Sequence, residues 1–469
     1  MEDRDIDLLG DSIKESLSSM KDRISDTGII MPRVPERFRL GENDAYEPRI
    51  ISFGPYHDLK EKLYATQRYK FSYLQEILSR DPMIPLKRYI NMVSSMIDKI
   101  KCCYPDYFYL KDPVLIKMMV IDGCFIVEYL LRVHERVKDE LSSMVLIQLL
   151  KYDILLLENH LPFFILYKIY KLAITPSSSN SYPPSFTHLA IGYFNWVFQK
   201  EINLPPPPPE TVHHLLHLYH LFCLYTPGVE EGAGDETLIS NIDITSLTSH
   251  KDSSIMIPGA TLLQEAGIRF KVKEVEGSSL DVTFNEGEGE MVIPRLFIDS
   301  STKSKLRNLI AFEQFYPNYE SKFSKSFSVY CSFMNDIINT HEDVALLCEK
   351  DIIRHSLGSN EEVAHIFNHL NGGAIIAQSH YLNDTYEKLL EAFSWFLPFS
   401  KPTSLATLLI SLWLHLLLIN ELISLQYFYE NQKIPSKKRR EEIKRRRFLH
   451  IKSVLSSNLS PRQRSDCRC

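Results

Sequence analysis

The side chains best suited to hold a metal lie in one short stretch: His213, His214, His217, His220 and Cys223. On a helix His213, His217 and His220 fall at i, i+4 and i+7 on one face, and the first two have the spacing that helical zinc ligands use. A zinc hydrolase of that pattern also needs a glutamate general base directly after the first histidine, where this chain has His214. Leu215, Leu216, Leu218 and Leu221 run through the same stretch, so an amphipathic helix that buries its leucines is the preferred reading.

A second cluster, Asp153, Glu158 and His160 within DILLLENHLPF, sets two carboxylates near an imidazole, the ingredients of general acid–base work. Five residues apart, Asp153 and Glu158 diverge on a helix. Glu158, followed by Asn159 and Pro162, reads instead as a carboxylate that accepts backbone N–H groups where a helix is disturbed. Asp122 in VIDGCF reads as a bridge to backbone groups or to Arg132, and Arg307, Asn308 and Glu313 in LRNLIAFEQ as a buried polar network fixing helix register. Tyr46, Tyr56 and His57 lie in and around the FGPYH turn and read as anchors of an extended segment. The chain has no GXSXG elbow, no GXXXXGK phosphate loop and no GXGXXG fingerprint. No catalytic, cofactor or metal residue is therefore assigned; nine residues, Tyr46, Tyr56, His57, Asp122, Glu158, Asn159, Arg307, Asn308 and Glu313, are expected to be polar or interaction positions.

The elements that must hold them are mostly helical. Ile6, Leu8, Leu9, Ile13, Leu17, Met20 and Ile24 lie among charges with the spacing of a short amphipathic helix, which predicts an N-terminal helix over 1–28 able to pack on the body or on a partner. Prolines 32, 35, 48 and 55 then rule out sustained helix, so Pro32–His57 reads as an extended strap. Its Val34, Phe38, Leu40, Ile51 and Phe53 need an apolar surface, and the helices expected at 114–131 and 153–170 are the most apolar in the chain. Helical periodicity fills Leu63–Ile100, a further helix is expected with Asp112 as N-cap and Pro113 at its first position, and Val145–Leu172 repeats the pattern with a break at Pro162. The Gly-, Ser- and Asp-rich insertion at about 228–256 has few large apolar groups and is expected to be flexible. Three short alternating runs between Ile268 and Ile298 predict an antiparallel β-meander, the chain's only expected strands. Helices are expected again from Ser304 to about His380.

The chain's 469 residues, 44% of them hydrophobic and 24% charged, are ordinary for a folded globule. Its net charge of -6 hides an asymmetry: residues 430–469 hold thirteen Lys or Arg against four Asp or Glu, leaving 40 against 55 elsewhere. An acidic body lacks the basic face that nucleic acid requires, and no such partner is expected. Eight scattered cysteines, several in apolar helical patterns, read as free thiols in a reducing compartment. The acidic N-terminus carries no apolar run of signal-peptide length.

Seven stretches in order resemble a plant family catalogued as domain of unknown function 247: RVPERFR (33–39), AYEPRIISFGPYH (45–57), DGCFIVEYLL (122–131), DILLLENHLPFFIL (153–166), IPGATLLQEAGIRFK (257–271), IPRLFIDSSTKSKLRNLIAFEQ (293–314) and YCSFMNDIINTHEDVALL (330–347). The resemblance implies a mainly helical plant protein with one hydrophobic segment near the C-terminus and no established catalysis. Some members are associated with pollen self-incompatibility in grasses, which implies partner recognition. The basic tail to Cys469 departs from the family, whose members end soon after the hydrophobic segment.

That segment is Ser404–Ile419, SLATLLISLWLHLLLI. Ten Leu or Ile contribute on the order of -5 kcal/mol toward insertion, whereas His415, and Asn420 and Glu421 at its end, oppose it. A membrane-spanning helix over 403–428 is expected, followed by a basic tail over 429–469; a surface-lying helix with that tail on anionic lipid is the other geometry. The sequence reading is thus a mainly α protein, a helical domain over 29–400 with a small antiparallel meander and a C-terminal hydrophobic helix. The expected function is non-enzymatic recognition or signalling through protein partners, at the plasma membrane or an endomembrane, with the body cytosolic. The alternative is a metal-dependent or hydrolytic enzyme using His213, His217 and His220 or the Glu158 region.

Overall fold

The computed structural model describes Lys14 and residues 31–396, except 59–60, 105, 107–109, 175–183, 199–201, 226–256, 274–277, 316–324, 371, 373 and 377–379. The N-terminal amphipathic stretch apart from Lys14, the flexible insertion, the membrane-spanning helix and the basic tail all lie outside the described residues.

The strap comes first. Only α1 (Glu36–Arg39) and a 3-10 turn (Asn43–Tyr46) interrupt its extended backbone. Helices α2 (Gln67–Arg80), α3 (Leu86–Ser94), α4 (Ile97–Cys103) and α5 (Asp112–Glu135) follow. Helix α5 starts at Asp112, with Lys111 as N-cap rather than the expected Asp112, and stops at Arg136 in the left-handed region (φ 56°). Thirteen of its residues, Leu115 and the unbroken run Asp122–Leu131 among them, are buried, because it is packed by α2, α3, α7 (Phe163–Ala173) and α8 (Phe186–Phe198). Gly123 permits the closest approach: a Cβ there would sit 2.4 Å from Ile169 Cδ1 on α7. Between α5 and α7, α6 (Met144–Asp153) ends where ILLLENHLP begins, so the break comes nine residues before Pro162.

The strap packs as its apolar residues require. Val34, Phe38, Ile51 and Phe53 are buried, and Phe53 meets Phe125 of α5 at 5.6 Å between ring centroids. Leu40 differs: it is 73% exposed, since it follows α1 at the bend where Gly41 (φ 73°) turns the chain.

After α9 (Leu215–Leu224) and α10 (Ala260–Glu265) come the strands. The sheet is mixed rather than an antiparallel meander. β1 (Arg269–Lys273) runs parallel to β3 (Glu290–Pro294), and only β2 (Thr283–Asn285) pairs antiparallel with β3. A hairpin from β1 into β2 is prevented because the connection is tied elsewhere: Ser279 N and Ser278 Oγ both donate to the Cys223 carbonyl at the end of α9. β4 (Leu296–Ile298) pairs in parallel with β5 (Ile353–His355), a strand inside the stretch read as helical. Helices α11 (Thr302–Phe315), α12 (Ser326–Ile337), α13 (His341–Glu349), α14 (Asn360–Asn368) and α15 (Asn383–Phe396) complete a mainly helical molecule. Among the described residues no helix is long and apolar enough to cross a membrane.

Candidate functional site

An extended strap has no neighbouring strand to take its N–H and C=O groups, and leaving them buried without partners costs about 1–3 kcal/mol each. Side chains in the middle of α5, at the end of α6 and in the ENH loop supply those partners. Asp153, fully buried at the end of α6, accepts Arg49 N at 2.7 Å and Ile50 N and Ile51 N at 2.8 Å. Burial pushes its carboxyl up to about 7, against the pull of those donors and of Arg49. Asn159 accepts Phe53 N at 2.6 Å and donates to the Ile51 carbonyl at 3.1 Å and the Asp153 carbonyl at 2.9 Å. Asp122 accepts Gly54 N at 3.0 Å and pairs with Lys70 Nζ at 2.6 Å, not with Arg132. Its pKa is raised by burial, with Lys70 opposing. Arg132 turns instead to Glu76, Glu128 and Asp139.

Glu158 completes this footing. Its Oε1 accepts Val34 N at 2.6 Å and its Oε2 accepts Arg39 Nη2 at 2.5 Å. From the other side α11 holds the 3-10 turn: Asn308 Nδ2 donates to the Ala45 carbonyl at 2.9 Å while its Oδ1 accepts Leu157 N at 2.8 Å, and Arg307 Nη1 donates to the Phe38 carbonyl at 3.2 Å. Tyr46 is buried, with burial raising its pKa and Arg307 opposing. Tyr56 donates its hydroxyl to the Met31 carbonyl. Seven of the nine residues singled out in the sequence thus serve one segment of backbone: Tyr46 and Tyr56 within it, Asp122, Glu158, Asn159, Arg307 and Asn308 beneath it. Asp153 is the strongest anchor and was weighed in the sequence only as half of an acid–base pair; its signal was a carboxylate closing a helix inside an apolar run.

The two remaining residues part company. Glu313 lies away from the strap and accepts Phe327 N and Ser328 N, each at 2.8 Å, at the start of α12. His57 lies on the floor of an open cleft of 660 Å³ between strap and body, lined by Arg33, Glu36, Arg39, Asn43, Glu47 and Glu158 among others. Its ring nitrogens stand 3.8 Å from Glu47 Oε2 and 3.8 Å from Glu158 Oε2, and Arg39 Nη1 is 3.7 Å from Glu47. The lining includes no Ser, Thr or Cys. Asn43 also lines a second hollow of 370 Å³ with Glu42, Arg49, Tyr152 and Lys303, so the 3-10 turn forms a ridge between two polar depressions.

The histidine stretch folds into the core. His214 caps α9, accepting His217 N at 3.2 Å on Nδ1, and His217 Nδ1 in turn accepts His213 N at 3.2 Å. His160 stacks on His214 with centroids 4.7 Å apart, and His214, His217 and His220 surround Phe312 at 5.3–5.5 Å. His220 Nε2 meets Glu313 at 2.8 Å. Burial drives the pKa of His160 down to about 3 and of His213 to about 4, and holds His214 and His217 well below the usual range. Among the described residues no three His, Cys, Asp or Glu side chains are grouped to hold a metal ion.

A family model described as DUF247, plant protein of unknown function, matches residues 31–413. Two similar proteins of Arabidopsis thaliana are the UPF0481 protein At3g02645, 24% identical with 76% of this chain and 80% of its own length covered, and the UPF0481 protein At3g47200, 28% identical with 76% of each covered. No solved structure matches the chain.

Proposed function

The chain belongs to the DUF247 family of plant proteins of unknown function, and on that premise we propose that it is a non-enzymatic recognition protein whose partner engages the strap and the cleft beside it. One observation carries this reading: side chains that could do chemistry are spent on holding the strap, which leaves a firmly positioned, charged and open surface over 33–47. Fixed polar groups around an open depression favour specificity over tight apolar burial. The partner is a protein, and the body works at a membrane reached through the C-terminal hydrophobic segment.

The test uses the full chain, immobilised and presented with proteins extracted from membranes of its source tissue. Glu36→Lys and Asn43→Ala, both on exposed rim positions, are expected to lower capture of a specific partner at least tenfold with the melting temperature unchanged; equal capture by both variants contradicts the reading. An enzyme keeps one specific point in its favour, the imidazole of His57 between two carboxylates in an open cleft. Hydrolytic turnover that is present in the wild type and abolished by His57→Gln in a folded protein would establish that second reading.

A further inference from the structure

While one group of histidines folds into the core, another pair stays on the surface: His365 in α14 and His369, which is the C-cap of that helix. Both are exposed. Side chains four residues apart on a helix lie one above the other, and these two rings stack with centroids 4.1 Å apart and planes 21° apart. Two imidazole nitrogens bound to one metal ion, each at about 2.0–2.1 Å, stand about 3 Å from each other. The rings therefore already lie close to the separation that a shared ion requires. Hydrogen bonding readies the donors as well. His369 Nδ1 lies 2.8 Å from the His365 carbonyl, which can only accept, so Nδ1 carries the proton and Nε2 keeps its lone pair. A backbone carbonyl in that place is a common partner of metal-bound histidine, because it fixes the tautomer and the ring orientation. The His365 ring has no hydrogen-bond partner among the described residues, so its nitrogens are available too.

We propose that His365 and His369 chelate one divalent transition-metal ion of the class that prefers imidazole, copper(II), nickel(II) or zinc(II), with water in the remaining coordination positions. Three observations select a cation here over an incidental stack of rings. The rings meet, the tautomer of His369 is fixed with Nε2 open, and the pair sits at the C-terminal end of α14, where the last carbonyls carry partial negative charge. The end of the helix is also held in place. His369 N donates to the Ile366 carbonyl at 3.2 Å, and the His369 carbonyl accepts Arg307 Nη2 at 2.5 Å. Because Arg307 also donates to the Phe38 carbonyl of the strap, the ion steadies the helix end on which one anchor of the strap rests.

The experiment footprints the histidines of the full chain with diethyl pyrocarbonate near neutral pH, with and without micromolar zinc chloride, and reads each modified residue by mass spectrometry. Zinc is expected to slow modification of His365 and His369 at least fivefold while the exposed His134 and His188 react as before. Magnesium, which prefers oxygen ligands, should protect neither. In His365→Gln the protection of His369 should be lost, and in His369→Gln that of His365, with the reactivity of His134 and His188 showing that each variant is folded. Wild-type protein in which zinc protects neither ring would mean that no site exists. One ring still protected without the other would mean separate single-histidine binding, and equal protection by magnesium would mean a nonspecific effect of charge. Protection regained on mixing the two single variants would place the ion between two copies. Each of these four results overturns the proposal.

Discussion

Asp153 gives the sharpest test at the scale of single residues. Its carboxylate is the partner of three consecutive backbone N–H groups, so Asp153→Ala leaves all three without it and should cost about 3–5 kcal/mol. Asp153→Asn keeps one acceptor oxygen and should cost roughly half. Calorimetry that ranks Asn below Ala would contradict the hydrogen-bonding role. His160 makes a prediction about pH. Its folded pKa, near 3 because of burial, lies below the unfolded value near 6.5, so the unfolded state takes up the proton first. The stability this neutral imidazole supports is present above pH 6.5 and is lost as pH falls toward 3, amounting to about 2 kcal/mol at pH 5. Asp153 and Asp336, whose carboxyls burial pushes up to about 7, act with the opposite sign over the same range, so the wild-type curve is a sum. The variant His160→Phe, which retains the ring stack on His214, should therefore shrink the stability lost between pH 7.5 and pH 5 by about 2 kcal/mol; an unchanged loss in chemical denaturation at the two pH values would refute the assignment.

Elements were legible in the sequence where one physical rule dominated. Prolines 32, 35, 48 and 55 made the strap extended, and the nearly all-round apolar content of α5 made it central; both hold. Reading failed where tertiary contacts decide. The order of the strands depends on Cys223, more than fifty residues earlier in the chain, capturing Ser278 and Ser279. β5 is three residues long and exists because β4 is beside it, which no local pattern records. Of the site, the polar residues were visible as unusual and were read as structural, but the strap as the common target of seven of them was not, because its backbone donors lie 68 to 124 residues away in the chain. Two glycines carry the element-scale prediction. Gly123→Val forces a side chain into Ile169 and should cost about 1–3 kcal/mol, largely recovered by Ile169→Val in the same chain. Gly54 sits at φ 68° with the His160 carbonyl 3.0 Å from where a Cβ would be, so Gly54→Ala should cost about 1–2 kcal/mol and no shortened neighbour should rescue it, since backbone stands in the way. Rescue of Gly54→Ala, or its failure for Gly123→Val, in thermal melts would show the packing to be otherwise.

For the whole molecule, the strap joins two halves of the helical body, with α5, α6 and the ENH loop on one side and α11 on the other. The expectation that the full protein is held by its C-terminal segment is checked by alkaline carbonate extraction: the full chain should stay with membranes and a chain ending at residue 400 should be released. Whether the polar residues serve the strap rather than a reaction is read most directly by hydrogen exchange at single amides across the full chain, in wild type and in Asn159→Ala. Loss of Asn159 should speed exchange at Phe53 and its strap neighbours Ile50, Ile51 and Gly54 by a factor of about ten or more, while amides in the middle of α5 keep their protection. Unchanged protection along the strap, or equal loss everywhere in the body, would contradict that role.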